Sequence, residues 1–172
     1  MLKNRIFKSE TYEIMSSINA DSRTAVSKDK KDLKIDTLQH IKDVQSIMGL
    51  MSMKLIEQSI SHDYTKLSNF NDFCSVWENT TDNFIDSNWY QDHVQIERHH
   101  SSAYEHDDYN LLDLIEEIID KVCAGKGRNG EIDMKYFDFN SDLLSRAVIN
   151  TIKLVDNMTK TKFERSSNIW LR

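Results

Sequence analysis

The stretch "DTLQHIKDVQSIMGLMSMKL", residues 36–55, decides the fold class. Ile41, Val44, Met48, Met51 and Leu55 recur every three or four residues, which marks one apolar helix face over about five turns. Asp36 followed by Gln39 has the form of a capping box and predicts a helix start there, with His40 in the opening turn. The methionines of residues 47–55 read as core filling, because a thioether chain adapts to irregular gaps.

Upstream, Phe7, Ile14 and Ile18 stand at helical spacing within residues 4–18, and the polar run "NADSRTAVSKDKKDLK" follows. Residues 1–34 are therefore expected to be an N-terminal helical arm with a charged linker, and residues 35–172 a single helical domain. Downstream, the pattern predicts a helix over residues 69–78 and one around residues 88–106 whose histidines disturb the periodicity. Another, over residues 109–125, carries Leu111, Ile115, Ile118 and Val122 on one face, with Gly125 as its stop. A glycine-bearing loop over residues 125–140, with one short extended piece, leads to a last helix over residues 141–158. That helix is expected to bury Leu144, Val148, Ile152 and Val155. Four glycines and no proline leave few residues for tight hairpins, so the expectation is an all-α bundle of five to six helices.

At 172 residues the chain has the length of one ordinary domain. No apolar run approaches a membrane span, and "MLKNRIFKSETYEIM" lacks the apolar core of a signal peptide, so no membrane association and a cytoplasmic protein are expected. Cys74 and Cys123 match no zinc spacing and read as reduced core thiols. A net charge of -6 argues against general nucleic-acid binding but not against an anionic small molecule, since bound metal ions reverse a local field.

All six histidines, His40, His62, His93, His99, His100 and His106, fall within residues 40–106. Imidazoles with carboxylates suit zinc, iron, manganese and similar ions. The adjacent pair His62 and Asp63 could face one ion from a turn, and one carboxylate has oxygens enough to bridge two. His99 and His100 cannot project the same way from a regular helix, since neighbours lie about 100° apart. One reads as a ligand and the other as a supporting or substrate contact. His106 reads as solvated and outside the site.

A histidine, then a His-Asp pair about one long helix later, then further histidines and a distant acid resembles the HD-domain superfamily of metal-dependent phosphohydrolases. "HDYTK", residues 62–66, is similar to the HD-x-x-K form of cyclic-dinucleotide-cleaving members. The blocks "HDYTKLSNFNDF", "WYQDHVQIERHH" and "IEEIIDK" look like those of a small HD-like family of phages and bacteria, over roughly residues 36–125. The resemblance implies His40, His62, Asp63 and Asp120 as metal ligands. It adds His93 with one or both of His99 and His100 for a second ion, and Asp63 as the bridge. It also implies one or two divalent ions (Mn, Fe, Mg, Co or Zn). Lys121 follows Asp120 where that family usually has an aromatic residue, so the pocket shape is expected to differ.

The implied activity is a phosphohydrolase of a nucleotide or related phosphoester, with Lys66 and Glu116 catalytic and Lys66, Arg98, Lys126 and Arg128 facing the substrate. Two other functions fit the same residues, a di-iron HD-type oxygenase and a non-catalytic phage protein that binds a host component or nucleotide signal. A phage-encoded chain would work in the host cytoplasm. Association is left open, with a homodimer the form many helical proteins of this kind take.

Plainer readings stand beside these. Asp113, Glu117 and Asp120 lie opposite the Leu111–Ile118 face and read equally as a solvated acidic face, and Asp156 competes with Asp120 as the distal acid. Trp77, Trp89 and Tyr90 could stack a base or serve as structural aromatics. Lys126 and Arg128 also read as an ordinary basic loop.

Overall fold

A chain without proline has nothing to break a long helix covalently. In the computed structural model, which describes residues 11–17, 20, 23, 29–79, 83–102 and 105–162, helices dominate. They are α1 (Lys30–Ser61), α2 (Tyr64–Ser68), α3 (Phe70–Asn79), α4 (Asn88–Ile96), α5 (Leu111–Asn129) and α6 (Ser141–Asn157). Single 3-10 turns stand at Phe84–Asp86 and Met134–Tyr136, and two short strands, β1 (Tyr12–Met15) and β2 (Thr159–Lys162), flank the set. The protein is essentially all-α, as expected.

The chain divides into two compact units, Met1–Met53 with Lys153–Arg172, and Lys54–Ile152. In the first, β1 and β2 pair in parallel, Tyr12 opposite Thr159 and Met15 opposite Lys162. The helix expected over residues 4–18 is thus a strand at Tyr12–Met15, and residues 4–10 and 18 of that expectation lie outside the described residues. Tyr12 and Ile14 suit a strand, where the ladder supplies the hydrogen bonds a short helix would have had to make. The Tyr12 hydroxyl and the Gln39 amide both donate to Asp43 Oδ1, at 2.9 and 2.8 Å.

α1 begins six residues before the expected capping box. Asp29 Oδ1 accepts from the Lys31 amide at 2.7 Å, so Asp36 and Gln39 lie inside the helix. Ile41, Val44 and Met48, expected in the core, are exposed, as is Met53 of the methionine run. Periodicity fixes which residues share a helix face, not what covers it.

In the second unit the core is Tyr109, Leu114, Leu143 and Ala147, with Leu111, Ile118 and Phe139 packed against it. α6 therefore buries the row next to the expected one, since Leu144, Val148 and Ile152 are exposed. Ala147 lets the helices approach, and Thr151 on the same row accepts from the Leu111 amide at 2.9 Å. α5 carries both kinds of surprise. It continues through Gly125 to Asn129, because a side chain at 125 would meet the Glu131 carbonyl at 2.8 Å while hydrogen there fits. The stop is Gly130, whose φ of 80° suits glycine and whose N–H donates to the Lys126 carbonyl.

The acidic side of α5 is no solvated face. Asp113 is 0% and Glu117 1% exposed. Asp113 closes a capping box with Asn110, and Glu117 is surrounded by the Ser101 and Tyr109 hydroxyls and Lys121 at 2.5, 2.6 and 2.5 Å.

Candidate metal centre

Two residues separate α1 from α2, and they are His62 and Asp63. Asp63 sits at φ 54°, ψ 23°, the left-handed region that aspartate tolerates better than most side chains. That bend starts a new helix and leaves both side chains facing the same interior. α4 adds His93, and the loop after it, no longer helical beyond Ile96, adds His99 and His100. Leaving the helix frees these last two from the angular conflict that a regular helix would impose.

His62, Asp63 and His99 form one group whose ligand atoms lie within 4.8 Å of one another, and Asp63, His93 and His100 form a second. Asp63 belongs to both. Its Oδ1 lies 3.5 Å from His93 Nε2 and 3.7 Å from His99 Nε2, and its Oδ2 lies 3.6 Å from His62 Nε2. His93 Nε2 and His100 Nε2 are 2.9 Å apart.

The fit to a metal ion can be judged from what the buried atoms lack. Asp63 Oδ1 and His99 Nε2 are buried without a hydrogen-bond partner among the described residues. A buried polar atom left so costs about 1–3 kcal/mol. Separations of 3.5–3.7 Å are too long for hydrogen bonds. They match the edge of a coordination shell, since two ligand atoms each about 2.1 Å from a tetrahedral ion stand about 3.4 Å apart. Nitrogen and carboxylate oxygen donors suit zinc, iron and manganese alike. The residues fit.

Supporting groups orient the rings. Glu116 Oε1 lies 3.0 Å from His62 Nδ1, a hydrogen bond that turns His62 Nε2 toward Asp63, and 3.3 Å from His99 Nδ1, which makes no hydrogen bond among the described residues. On the other side Thr65 Oγ1 donates to Glu97 Oε1 at 2.7 Å and lies 2.6 Å from His93 Nδ1. Its single proton is committed to Glu97, so His93 Nδ1 must be the donor, and the lone pair falls on Nε2, facing the group. Trp89 stacks on the His93 ring at 5.1 Å and packs with Phe73 and Phe84, a structural role for that tryptophan.

Charge follows the same division. Burial, with the charges of Lys66 and His99, pushes His93 down, and burial with His99 and His93 pushes His100 down to about 3. Both are neutral near pH 7; the His93 Nε2 lone pair accepts from the His100 Nε2–H at 2.9 Å, and an ion there would require His100 to carry its proton on Nδ1 instead. Burial also works against protonated His99, yet Glu116, Asp63 and Asp120 hold it above the ordinary value. Burial would raise the Asp63 carboxyl, but the Lys66 ammonium, 2.5 Å from Oδ2, and the charges of His62 and His99 keep it below the usual range.

The other expected residues separate. Asp120 Oδ1 lies 3.6 Å from His62 Nε2, at the open side of the first group. His40 is exposed on α1 in the other unit and belongs to neither group, as does exposed Asp156 on α6. His106 also lies outside both groups. Arg98 is committed elsewhere. Its guanidinium forks onto Asp113 at 2.9 and 2.8 Å and reaches Asp108 at 2.8 Å. Lys126 donates to the Gly130 carbonyl and Arg128 lies over the Tyr136 ring, both exposed at the end of α5. Trp77 is exposed. Cys74 is half-buried and Cys123 exposed, so Cys123 is no core thiol. Thr65 and Glu97 were missed because neither is a metal-ligand type at recognisable spacing. The only signal was their place inside the first and second sequence blocks.

A cavity of about 260 Å³ opens beside His62, Glu116 and Asp120. No helix among the described residues is long and apolar enough to cross a membrane. Comparison with protein-family profiles, curated proteins and solved structures gives no match.

Proposed function

We propose that the chain is a metal-dependent phosphohydrolase of the HD type, acting on a nucleotide or related phosphoester. The observation that carries this reading is the sharing of Asp63 between two histidine groups, with its Oδ1 buried and unpartnered. His62, Asp63 and His99, with Asp120 alongside, would hold one ion, and Asp63, His93 and His100 a second. When bound, such ions supply Lewis-acid polarisation of a phosphoryl oxygen and activation of water.

The protein's own residues supply position and charge. Glu116 would keep the His62 imidazole aimed inward and stand beside His99. Lys66 brings the one ammonium seated on the cluster's central carboxylate, where it can offset phosphoryl charge. Asp120, partly exposed between His62 and the cavity, is the carboxylate best placed to take a proton on the substrate side.

The test is metal analysis of the purified protein, followed by phosphate release from nucleotides with Mn²⁺, Mg²⁺, Fe²⁺ or Co²⁺ added. Bound metal with metal-dependent release is expected, and a folded protein that binds no divalent ion would remove the proposal. Four imidazoles around one carboxylate also suit iron. Oxygen uptake by the iron form, without phosphate release, would move the reading to a di-iron oxygenase.

A further inference from the structure

The cavity beside His62 has a chemical bias of its own. Leu55, Ile119 and Cys123 give it apolar walls, and Gln58 and Ser59 supply its remaining polar lining. The Gln58 Nε2 donates to Asp113 Oδ1 at 2.8 Å, which fixes the amide and leaves buried Oε1 as an acceptor without a partner. The Ser59 hydroxyl spends its proton on the Ile56 carbonyl at 2.7 Å, so it too can only accept. Glu116 and Asp120 at the mouth are carboxylates. Apart from the weak Cys123 thiol and His62, whose Nδ1 faces Glu116, the polar groups around the cavity accept, and no lysine or arginine stands among its eight lining residues.

We propose that this cavity seats an uncharged, apolar ring bearing N–H donors, such as an amino-substituted nucleobase, and that this ring is the specificity group of the substrate. The identification rests on the phosphohydrolase reading only in calling the ligand a substrate; the binding itself does not. A phosphate group is repelled by the two carboxylates. A sugar's hydroxyls find few partners on walls of leucine, isoleucine and cysteine. An aromatic amine satisfies both demands, since its face lies on carbon and its N–H groups meet acceptors in Ser59 Oγ and the Asp120 carboxylate. A volume of about 260 Å³ has room for one heterocycle.

Exposed Cys123 makes the cavity observable without catalysis. In the full chain carrying Cys74→Ser, the rate at which a disulfide reagent modifies Cys123 is measured with adenosine present and absent. Adenosine should slow modification at least about fivefold at saturation, and purine riboside, which lacks the amino group, should bind about tenfold more weakly, a difference of about 1.4 kcal/mol. Ile119→Trp and, independently, Ser59→Trp should abolish the protection with metal content unchanged; both positions are exposed, so either replacement leaves the core intact. No protection by adenosine, or equal binding of purine riboside, would overturn the proposal. Protection without any phosphate release would sink the hydrolase reading alone, and phosphate release without protection would sink the cavity assignment alone.

Discussion

Asp63 meets two demands at once, a left-handed backbone at the junction of two helices and a carboxylate shared by two histidine groups. Asparagine answers the first demand nearly as well, since its short polar side chain also tolerates that region. It answers the second poorly, having one oxygen, no charge and an amide that repels ions. Asp63→Asn should therefore still fold, with a thermal midpoint somewhat below wild type because the Lys66 ion pair is lost, while binding of divalent ions by calorimetry falls at least about a hundredfold. Unchanged ion affinity in that variant would mean that Asp63 ligates nothing. That His62 and Asp63 belong together in one side-chain group was legible because their residue types carry the chemistry. His40 is of the same type, but α1 presents it to solvent and it belongs to neither group.

At the scale of elements, α5 shows how a helix face can be polar and buried together. Glu117 is held by Tyr109, Ser101 and Lys121, and burial with the Glu117 bond raises the Tyr109 phenol above 10.0, its ordinary value. The sign follows from that direction. The folded state keeps this proton more tightly than the unfolded chain, so the stabilisation is complete below 10.0 and is lost as pH rises beyond it. Tyr109→Phe should be less stable than wild type by about 1–2 kcal/mol at neutral pH. Denaturant midpoints should show that gap closing above about pH 10, and a gap constant to about pH 11 would rule out the phenol–carboxylate bond.

The glycines of the same helix separate propensity from packing. Gly127 has open space around it, so Gly127→Ala should stabilise by about 0.5–1 kcal/mol, as alanine does inside helices. Gly125→Ala should destabilise despite the same propensity gain, because its methyl meets the Glu131 carbonyl. Thermal midpoints moving the same way would show that residues 125 and 131 are not close. Sequence placed the end of α5 at Gly125 because glycine marks both stops and close approaches, and only the packed structure tells them apart. The α6 register failed similarly, since Leu143 and Leu144 begin two adjacent apolar rows and the decision fell to the smaller one, through Ala147.

For the whole molecule, the all-α class was readable from the scarcity of turn residues and the length of the periodic segments. Most of the cluster was readable from residue type and order. The division into two units, the strand pair and the exposed faces depend on pairings distant in sequence, which local pattern does not encode. The two histidine groups lie within Lys54–Ile152. The direct test of the shared-carboxylate account is an anomalous-scattering map from crystals grown with Mn²⁺. Two peaks flanking the Asp63 carboxylate, one among His62 and His99 and the other among His93 and His100, are expected. An ordered Asp63 with no peak beside it at saturating Mn²⁺ would contradict the account.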